Sequence, residues 1–356
     1  MRRQRRGAIA RCTAIATIYE IASKVGVSTA TVSRALSGGG YVRKELREQI
    51  LQVAKAMDYQ PNSFARGLVT RQSHILGLIV PDIRNPFFPA VARGVEDAAN
   101  ERGYNVLLCN TDGSLRKEND YIDVLRSRQA DGVIFTTSQV SSRNVKTLMK
   151  SGIPVVLADR RMDLECDIVS ADNVEGAFQA TRHLLGLGHD RIGIITGPMG
   201  VATSQDRIEG YRRALSELGI ASSPDLIREG DYRERSGYAG AMELIKLSDP
   251  PTAIFACNDL MAVGALHALE ESELQVPGDV SVVGYDDITV ASVARPRLTT
   301  IAQPKYEMGA IACRMLIDRL RAPGDPYQTV MLRPQLVLRE SAAMMKCEGS
   351  VCNPGL

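Results

Sequence analysis

Residues 18–36 read IYEIASKVGVSTATVSRAL, and this stretch decides how the first part of the chain folds. Ile18, Ile21, Ala22 and Val25 fall on one face of a first helix. Gly26 then supplies a tight turn, where a residue without a Cβ costs least. Val27 packs under that turn, Ser28 is placed to cap a second helix, and Val32 and Leu36 face back toward the first. Small Ala22, then Gly26, then Val32 make a joint pattern that describes the helix-turn-helix of DNA-reading domains. The alternative is an ordinary helical hairpin. Against it, the outward positions of the second helix are Ser, Thr, Ala and Arg rather than Glu and Lys.

Charge agrees with that reading. The 356 residues carry a formal +2. Residues 1–71 hold thirteen Lys/Arg against four acids, a balance of +9 that leaves −7 for the remaining 285. A basic end on an acidic body points to a polyanion partner for the first segment only. The seven cysteines are scattered with no Cys-x-x-Cys, which excludes a zinc ribbon or a disulfide framework and fits a reducing cytoplasm. No apolar run approaches a membrane span. The opening MRRQRRGAIARCTAIATIYE starts like a secretory signal, but Arg11 cuts its apolar stretch and Glu20 ends it. Residues 1–16 therefore read as a disordered basic tail, or as a start-site error.

Ser-Gly-Gly-Gly at 37–40 is a loop, and Val42–Met57 predicts a third helix stopped by Tyr59-Gln60-Pro61. Residues 61–68 could form only two helical turns, marginal without a partner. From His74 the grammar becomes strand, loop, helix, repeated. Strands are expected at 75–80, 104–109, 132–137, 153–158 and 167–170, then at 191–197, 225–229, 252–257 and 280–284, with helices between them and a late helix at Lys305–Arg321. Final strands fall near 329–332 and 335–338. Near-continuous Ile/Val/Leu strands alternating with amphipathic helices mean parallel sheets covered on both faces. Two runs of similar size imply two doubly wound subdomains.

In open α/β sheets the ligand crevice lies beyond the carboxyl ends of the strands. The residues there are Asn85 with Phe87 and Phe88, Asp112, Ser138, Asp159-Arg160, Asp231-Tyr232, Asn258-Asp259, Tyr285-Asp286 and Gln303. Aromatic rings stack on the C–H face of a polyhydroxylated ligand, while carboxylate, guanidinium and amide groups hold its hydroxyls. Asp259 and Asp287 serve equally as helix N-caps, and Phe87 and Phe88 as plain core. No Walker loop, no strand followed by Gly-x-Gly-x-x-Gly, no His-Glu-x-x-His and no Gly-x-Ser-x-Gly is present. The four histidines are dispersed, so a binding protein fits better than an enzyme.

From Thr17 to Ser341 the chain resembles the lactose/galactose repressor family of bacterial regulators. The resemblance is carried in order by TIYEIASKVGVSTATVSRAL, YQPNSFARGL, LGLIVPDIRNPFF, GYNVLLCNTD, DGVIF, IPVVLADR, GHDRIGIITG, RIEGY, AIFACNDLMAVGAL, VSVVGYDD, LTTIAQP and LVLRES. It implies that Thr29, Ala30 and Arg34 face base edges in the major groove and that Ser28 and Thr31 contact phosphate. It also makes 61–68 a hinge helix of the minor groove, with Asn62 and Arg66 as contacts and Leu68 as the wedge in the central base step. Arg43 departs from the family's usual Ser or Asp cap. Gly67 weakens the hinge helix by roughly 0.5–1 kcal/mol relative to Ala. The pocket resembles the pentose-binding branch, which assigns Asn85, Phe87, Phe88, Asp159, Arg160, Arg207, Tyr232 (for a Phe), Asn258, Asp286 and Gln303 to a ribose-like effector.

The expected fold is α/β: a helix-turn-helix headpiece (17–60), a hinge and linker (61–72) and an effector domain (73–340) of two doubly wound subdomains, as in type I periplasmic binding proteins. Subdomain one takes about 73–172 and 304–328, subdomain two about 173–302 and 329–340, and 341–356 form a tail. The expected protein is a cytoplasmic, nucleoid-associated homodimeric repressor of a pseudo-palindromic DNA operator, controlled by a small sugar-like effector, with no cofactor, metal or membrane. The competing readings are a sugar-binding receptor without a transcription role, a regulator answering to a purine or a phosphorylated protein, and a sugar-metabolising enzyme. The tail has no leucine heptads, so nothing suggests a terminal coiled coil.

Overall fold

A computed structural model describes residues 16–37, 40–59, 72–136, 142–159, 162 and 164–345. The chain divides into two compact units between Ser73 and His74. The basic tail through Ile15, the hinge segment 61–68 and Arg160 lie outside the described residues.

The first unit is a three-helix headpiece of α1 (Ile18–Val25), α2 (Thr29–Ser37) and α3 (Lys44–Ala56). Its core is Ile21, Ala22, Val32, Ala35, Ile50 and Ala54. Gly26 turns the chain at φ 77°, the left-handed conformation in which a Cβ is unfavourable. Ser28 caps α2, its Oγ accepting from the Thr31 N–H at 3.2 Å. Thr17 caps α1, and the Glu20 carboxylate accepts from the Thr17 N–H at 2.7 Å. In the sequence reading Glu20 is only the charge that ends an apolar run. Folded, it completes a capping box, a signal that the T-x-x-E spacing carries. Arg43 offers no side-chain bond at the start of α3, which begins two residues later than the periodicity suggests.

The second unit contains, among the described residues, two six-stranded sheets. β1 (Ile75–Val80), β2 (Asn105–Asn110), β3 (Gly132–Phe135), β4 (Val155–Ala158) and β5 (Asp167–Ala171) belong to the first. β6 (Ile192–Thr196), β7 (Ile227–Glu229), β8 (Ala253–Ala256), β9 (Ser281–Asp286) and β10 (Thr299–Ala302) belong to the second. β11 (Thr329–Leu332) and β12 (Gln335–Val337) complete one sheet each, giving orders β11-β5-β4-β3-β1-β2 and β12-β10-β9-β8-β6-β7. All neighbours run parallel except β10 and β12. Almost every residue of β1, β3, β4, β6, β8 and β9 is buried, because helices cover both faces.

Two expected boundaries are corrected. Residues 329–332 pair in register with Ile168–Ala171, so they extend the first sheet and not the second. The last crossing between lobes therefore falls at Arg333-Pro334. Residues from 341 onward do not leave the fold at once. Ser341 is buried, accepting from the Thr299 N–H at 2.8 Å and donating to the Val282 carbonyl at 2.6 Å. Ala343 still bonds the His189 ring at 3.0 Å. A short helix, Thr289–Val293, was not foreseen; five residues are too few to show a helical period.

Candidate functional site

The headpiece presents one candidate surface. Ala30 and Arg34 are exposed on α2, as is Ser28 just before it, and Thr29 and Thr31 are half-buried. Ser28 and Thr31 also share a side-chain hydrogen bond of 3.0 Å. Two of the positions that the resemblance assigns to phosphate are thus already committed to starting the helix. Arg47 ties α3 to the end of α2 by donating to the Ala35 carbonyl at 3.2 Å, which fixes the helix that would enter a groove.

The second candidate site is a cleft between the two lobes of the larger unit, with a volume of about 410 Å³. It opens where each sheet reverses its winding, beyond β1 and β3 in one lobe and β6 and β8 in the other. Eight of the ten residues expected at an effector line it: Asn85, Phe87, Phe88, Asp159, Arg207, Tyr232, Asn258 and Asp286. Arg160 lies outside the described residues.

Gln303 does not line the cleft. Its Nε2 donates to Asp286 Oδ1 at 2.7 Å, so it stands behind that carboxylate. Its own Oε1 is buried and has no partner among the described residues. The N-cap question resolves by one residue. Asn258 caps the helix Asp259–Glu271, accepting from the Met261 N–H at 2.9 Å. Asp259 turns away from the cleft, accepting from the Ile288 N–H at 2.8 Å and paired with the Thr300 hydroxyl at 2.5 Å. Asp287 pairs with Arg339 at 2.6 Å.

Phe87 and Phe88 meet edge-on with centroids 5.1 Å apart, at the start of the helix Phe87–Asn100. Asn85 folds back to accept from the Phe87 N–H at 3.0 Å. Phe87 is also part of the first lobe's core, so core and cleft wall are not alternatives for it.

The floor of the second lobe is ionic. Arg207, only 3% exposed, donates to Asn173 Oδ1 at 2.9 Å and to the Cys257 carbonyl. It stacks on Tyr285, its Cζ 3.9 Å from the ring centroid, and stands 3.9 Å from Asp286. Burial alone would lower the Arg207 pKa, but Tyr232, Tyr285, Asp286 and Asp159 outweigh it and hold the guanidinium charged. Burial also raises the Asp286 pKa, opposed by Arg207, by the Gln303 bond and by Lys305. The Cys257 thiol is pushed up to about 12 by the same burial and stays protonated.

Several wall residues hold left-handed backbone: Asp159 at φ 57°, Tyr232 at 66° and Asp286 at 108°. Such conformations cost roughly 1–3 kcal/mol each and persist only where the surroundings enforce them. They aim the side chains inward.

The strand-end rule missed the rim. Asp82 and Arg84 directly follow β1, and Arg233 and Glu234 follow β7; all four line the mouth. Arg84 donates to both oxygens of Asp82, at 2.9 and 2.7 Å, and holds its carboxyl below the usual range. Arg233 approaches the same carboxylate from the opposite lobe at 3.6 Å. The signal was present, since these residues adjoin strand ends. Asn173, which orients Arg207, had no comparable signal. Among the described residues no group of His, Cys, Asp and Glu could hold a metal ion, and no helix is long and apolar enough to cross a membrane.

A model described as bacterial regulatory proteins, lacI family, matches residues 17–62, and one described as a periplasmic binding protein-like domain matches 181–342. The ribose operon repressor of Halalkalibacterium halodurans is 39% identical over 326 residues, covering 91% of this chain and 96% of that protein. A lacI-family transcriptional regulator from Enterococcus faecium, solved with bound ribose, is 33% identical at a TM-score of 0.70, covering 76% of this chain and 100% of that one. The lac repressor dimer bound to operator and the anti-inducer ONPF matches at a TM-score of 0.84 and 26% identity, covering 92% of this chain and 99% of that one.

Proposed function

The chain belongs to the lacI family of bacterial regulatory proteins, and on that premise we propose that its effector is a pentose, with ribose the first candidate. It is a sequence-specific DNA-binding transcriptional regulator, not an enzyme. In our reading it works in the cytoplasm, on the nucleoid, as a homodimer that represses from a pseudo-palindromic operator. The second helix of each headpiece reads a half-site through Thr29, Ala30 and Arg34, with Ser28 and Thr31 on phosphate. Asn62, Arg66 and Leu68 act in the minor groove.

One observation carries the ligand assignment: Arg207 and Asp286 are both buried on the cleft floor at 3.9 Å, too far apart for a close pair. Each therefore keeps capacity for a neutral hydroxyl, while Phe87, Phe88 and Tyr232 offer apolar faces. Asn85, Asp159, Arg160 and Asn258 supply the remaining polar contacts, and Gln303 steadies the Asp286 carboxylate from behind. The similarity to a regulator solved with ribose supports the same choice.

A ligand held by both lobes favours a closed cleft. Closure changes how the first lobes meet across the dimer, and so changes the spacing of the two hinge segments. Operator and effector affinities are then reciprocally coupled, typically by about 1–3 kcal/mol. Calorimetry with ribose, a hexose and a purine base tests the assignment. Purine binding with no ribose heat would overturn the sugar and leave the regulator. Unchanged operator affinity at saturating ribose would overturn the coupling.

A further inference from the structure

We propose that Gly197 and Ser204 are positioning residues that lock the Tyr232 ring into a rigid wall of the cleft, and that this wall sets the size of sugar accepted. The inference rests on the reading of the cleft as a sugar site, and it adds two residues that do not line the cavity and meet the Tyr232 side chain from behind.

Tyr232 is restrained from several directions. Its backbone sits at φ 66°, left-handed and strained for a tyrosine. Its carbonyl accepts from Asn258 Nδ2 at 2.9 Å, which holds that backbone in place. Its hydroxyl bonds Ser204 Oγ at 2.6 Å, with Thr203 Oγ1 farther off at 3.4 Å. Arg207 stands over its ring at 5.9 Å.

The strongest restraint is an absence of atoms. A Cβ on Gly197 would lie 2.0 Å from Tyr232 Cζ and 2.4 Å from its hydroxyl oxygen, so the ring occupies the place of a side chain at the end of β6. Gly197 is not at positive φ, so conformational freedom does not explain the glycine. Close approach does. Ser204 lies on the first turn of the helix Ala202–Glu217, which also carries Arg207 three residues later. Ring and guanidinium are therefore fixed by one rigid element.

A wall held at backbone, hydroxyl and ring face cannot swing aside for a larger ligand. Truncating the hydroxyl or its anchor leaves the ring in the cleft and lets it move. The loss should appear as weaker binding of a small sugar and as poorer rejection of a larger one.

The test is a double-mutant cycle with Ser204→Ala and Tyr232→Phe in the full chain, read by calorimetry with D-ribose and D-glucose and by urea unfolding without ligand. Ser204→Ala should weaken ribose binding by about threefold to tenfold, the cost of re-ordering the freed side chain when ligand binds, and narrow the ribose-to-glucose ratio. In the Tyr232→Phe background the same substitution should change ribose affinity by less than about twofold, since its partner is gone. Full additivity in both ribose affinity and urea stability would overturn the clamp. A loss of stability with wild-type ribose affinity and wild-type discrimination would reduce Ser204 to a structural residue and overturn the proposal. If the unmutated protein gives no ribose heat, the pentose reading fails, and the urea cycle alone then decides the clamp. Gly197→Ala, which forces the ring out of its seat, should abolish ribose binding, and wild-type ribose affinity in that variant would overturn the proposal.

Discussion

Asp286→Asn isolates the charge that the pentose reading needs. Alanine is the wrong choice here. It would leave Arg207 buried without its nearest carboxylate and Gln303 Nε2 without its acceptor. An uncompensated buried charge would then be added to whatever is lost in ligand binding. Asparagine keeps an oxygen for Gln303 while it removes the charge and turns the second oxygen into a donor amide. A sugar hydroxyl donating to a carboxylate contributes about 1.5–3 kcal/mol, so its loss should weaken ribose binding roughly 10- to 150-fold.

Acidity gives a second signature. Burial raises the Asp286 pKa, and the carboxylate must be ionised to accept two hydroxyls. Ribose affinity of the parent should therefore fall as pH drops, beginning above the ordinary carboxylate range, and the Asn variant should lack that dependence. Calorimetry across pH, with operator binding read by fluorescence anisotropy, measures both. Effector-free operator affinity should be unchanged, because Asp286 and the headpiece belong to different units. An Asn variant that binds ribose as tightly as the parent at every pH would refute the role of Asp286.

Arg34→Ala should cost about 1–3 kcal/mol of operator affinity if it holds a guanine bidentately, with the loss tied to one base in each half-site. Equal weakening on all sequences in a binding-selection assay would make Arg34 a phosphate contact. Leu68→Ala should reduce operator affinity and DNA bending in a gel-phasing assay while leaving ribose calorimetry unchanged; normal bending removes the wedge. Asp259→Asn tests the buried acid behind the cleft: burial raises its pKa well above the usual range, and the Asp286 charge adds to this. The folded chain then holds that proton more tightly than the unfolded chain. Its contribution to stability is full below the unfolded value, near 4, and is lost as pH rises toward the folded one. Urea midpoints should fall with pH in the parent relative to the Asn variant, and parallel curves would contradict a raised Asp259.

Which parts of this molecule were legible in its sequence follows from where each signal resides. The apolar runs of β1, β6, β8 and β9 report burial on both faces, a property of consecutive residues, so the doubly wound lobes could be read directly. Strand ends follow from strands, which is why Asn85, Asp159, Tyr232, Asn258 and Asp286 could be named and are found around one cavity. The last crossing escapes a sequence reading because β11 and β12 are only four and three residues long, both half-exposed, and the lobe to which β11 belongs depends on a partner more than 150 residues away. Gln303 was placed one layer too far inward for a related reason: the strand-end rule locates a backbone, not the direction of a side chain. The residues hardest to foresee act on other side chains. Asn173 acts through Arg207, and Gly197 acts by having no side chain at all. A glycine after a strand suggests a turn by every local rule, and only the tyrosine ring lying against it shows that space, not flexibility, is what it provides. In this cleft the residues that line the cavity are readable from topology, whereas those that fix their angles become visible only once distant elements are packed together.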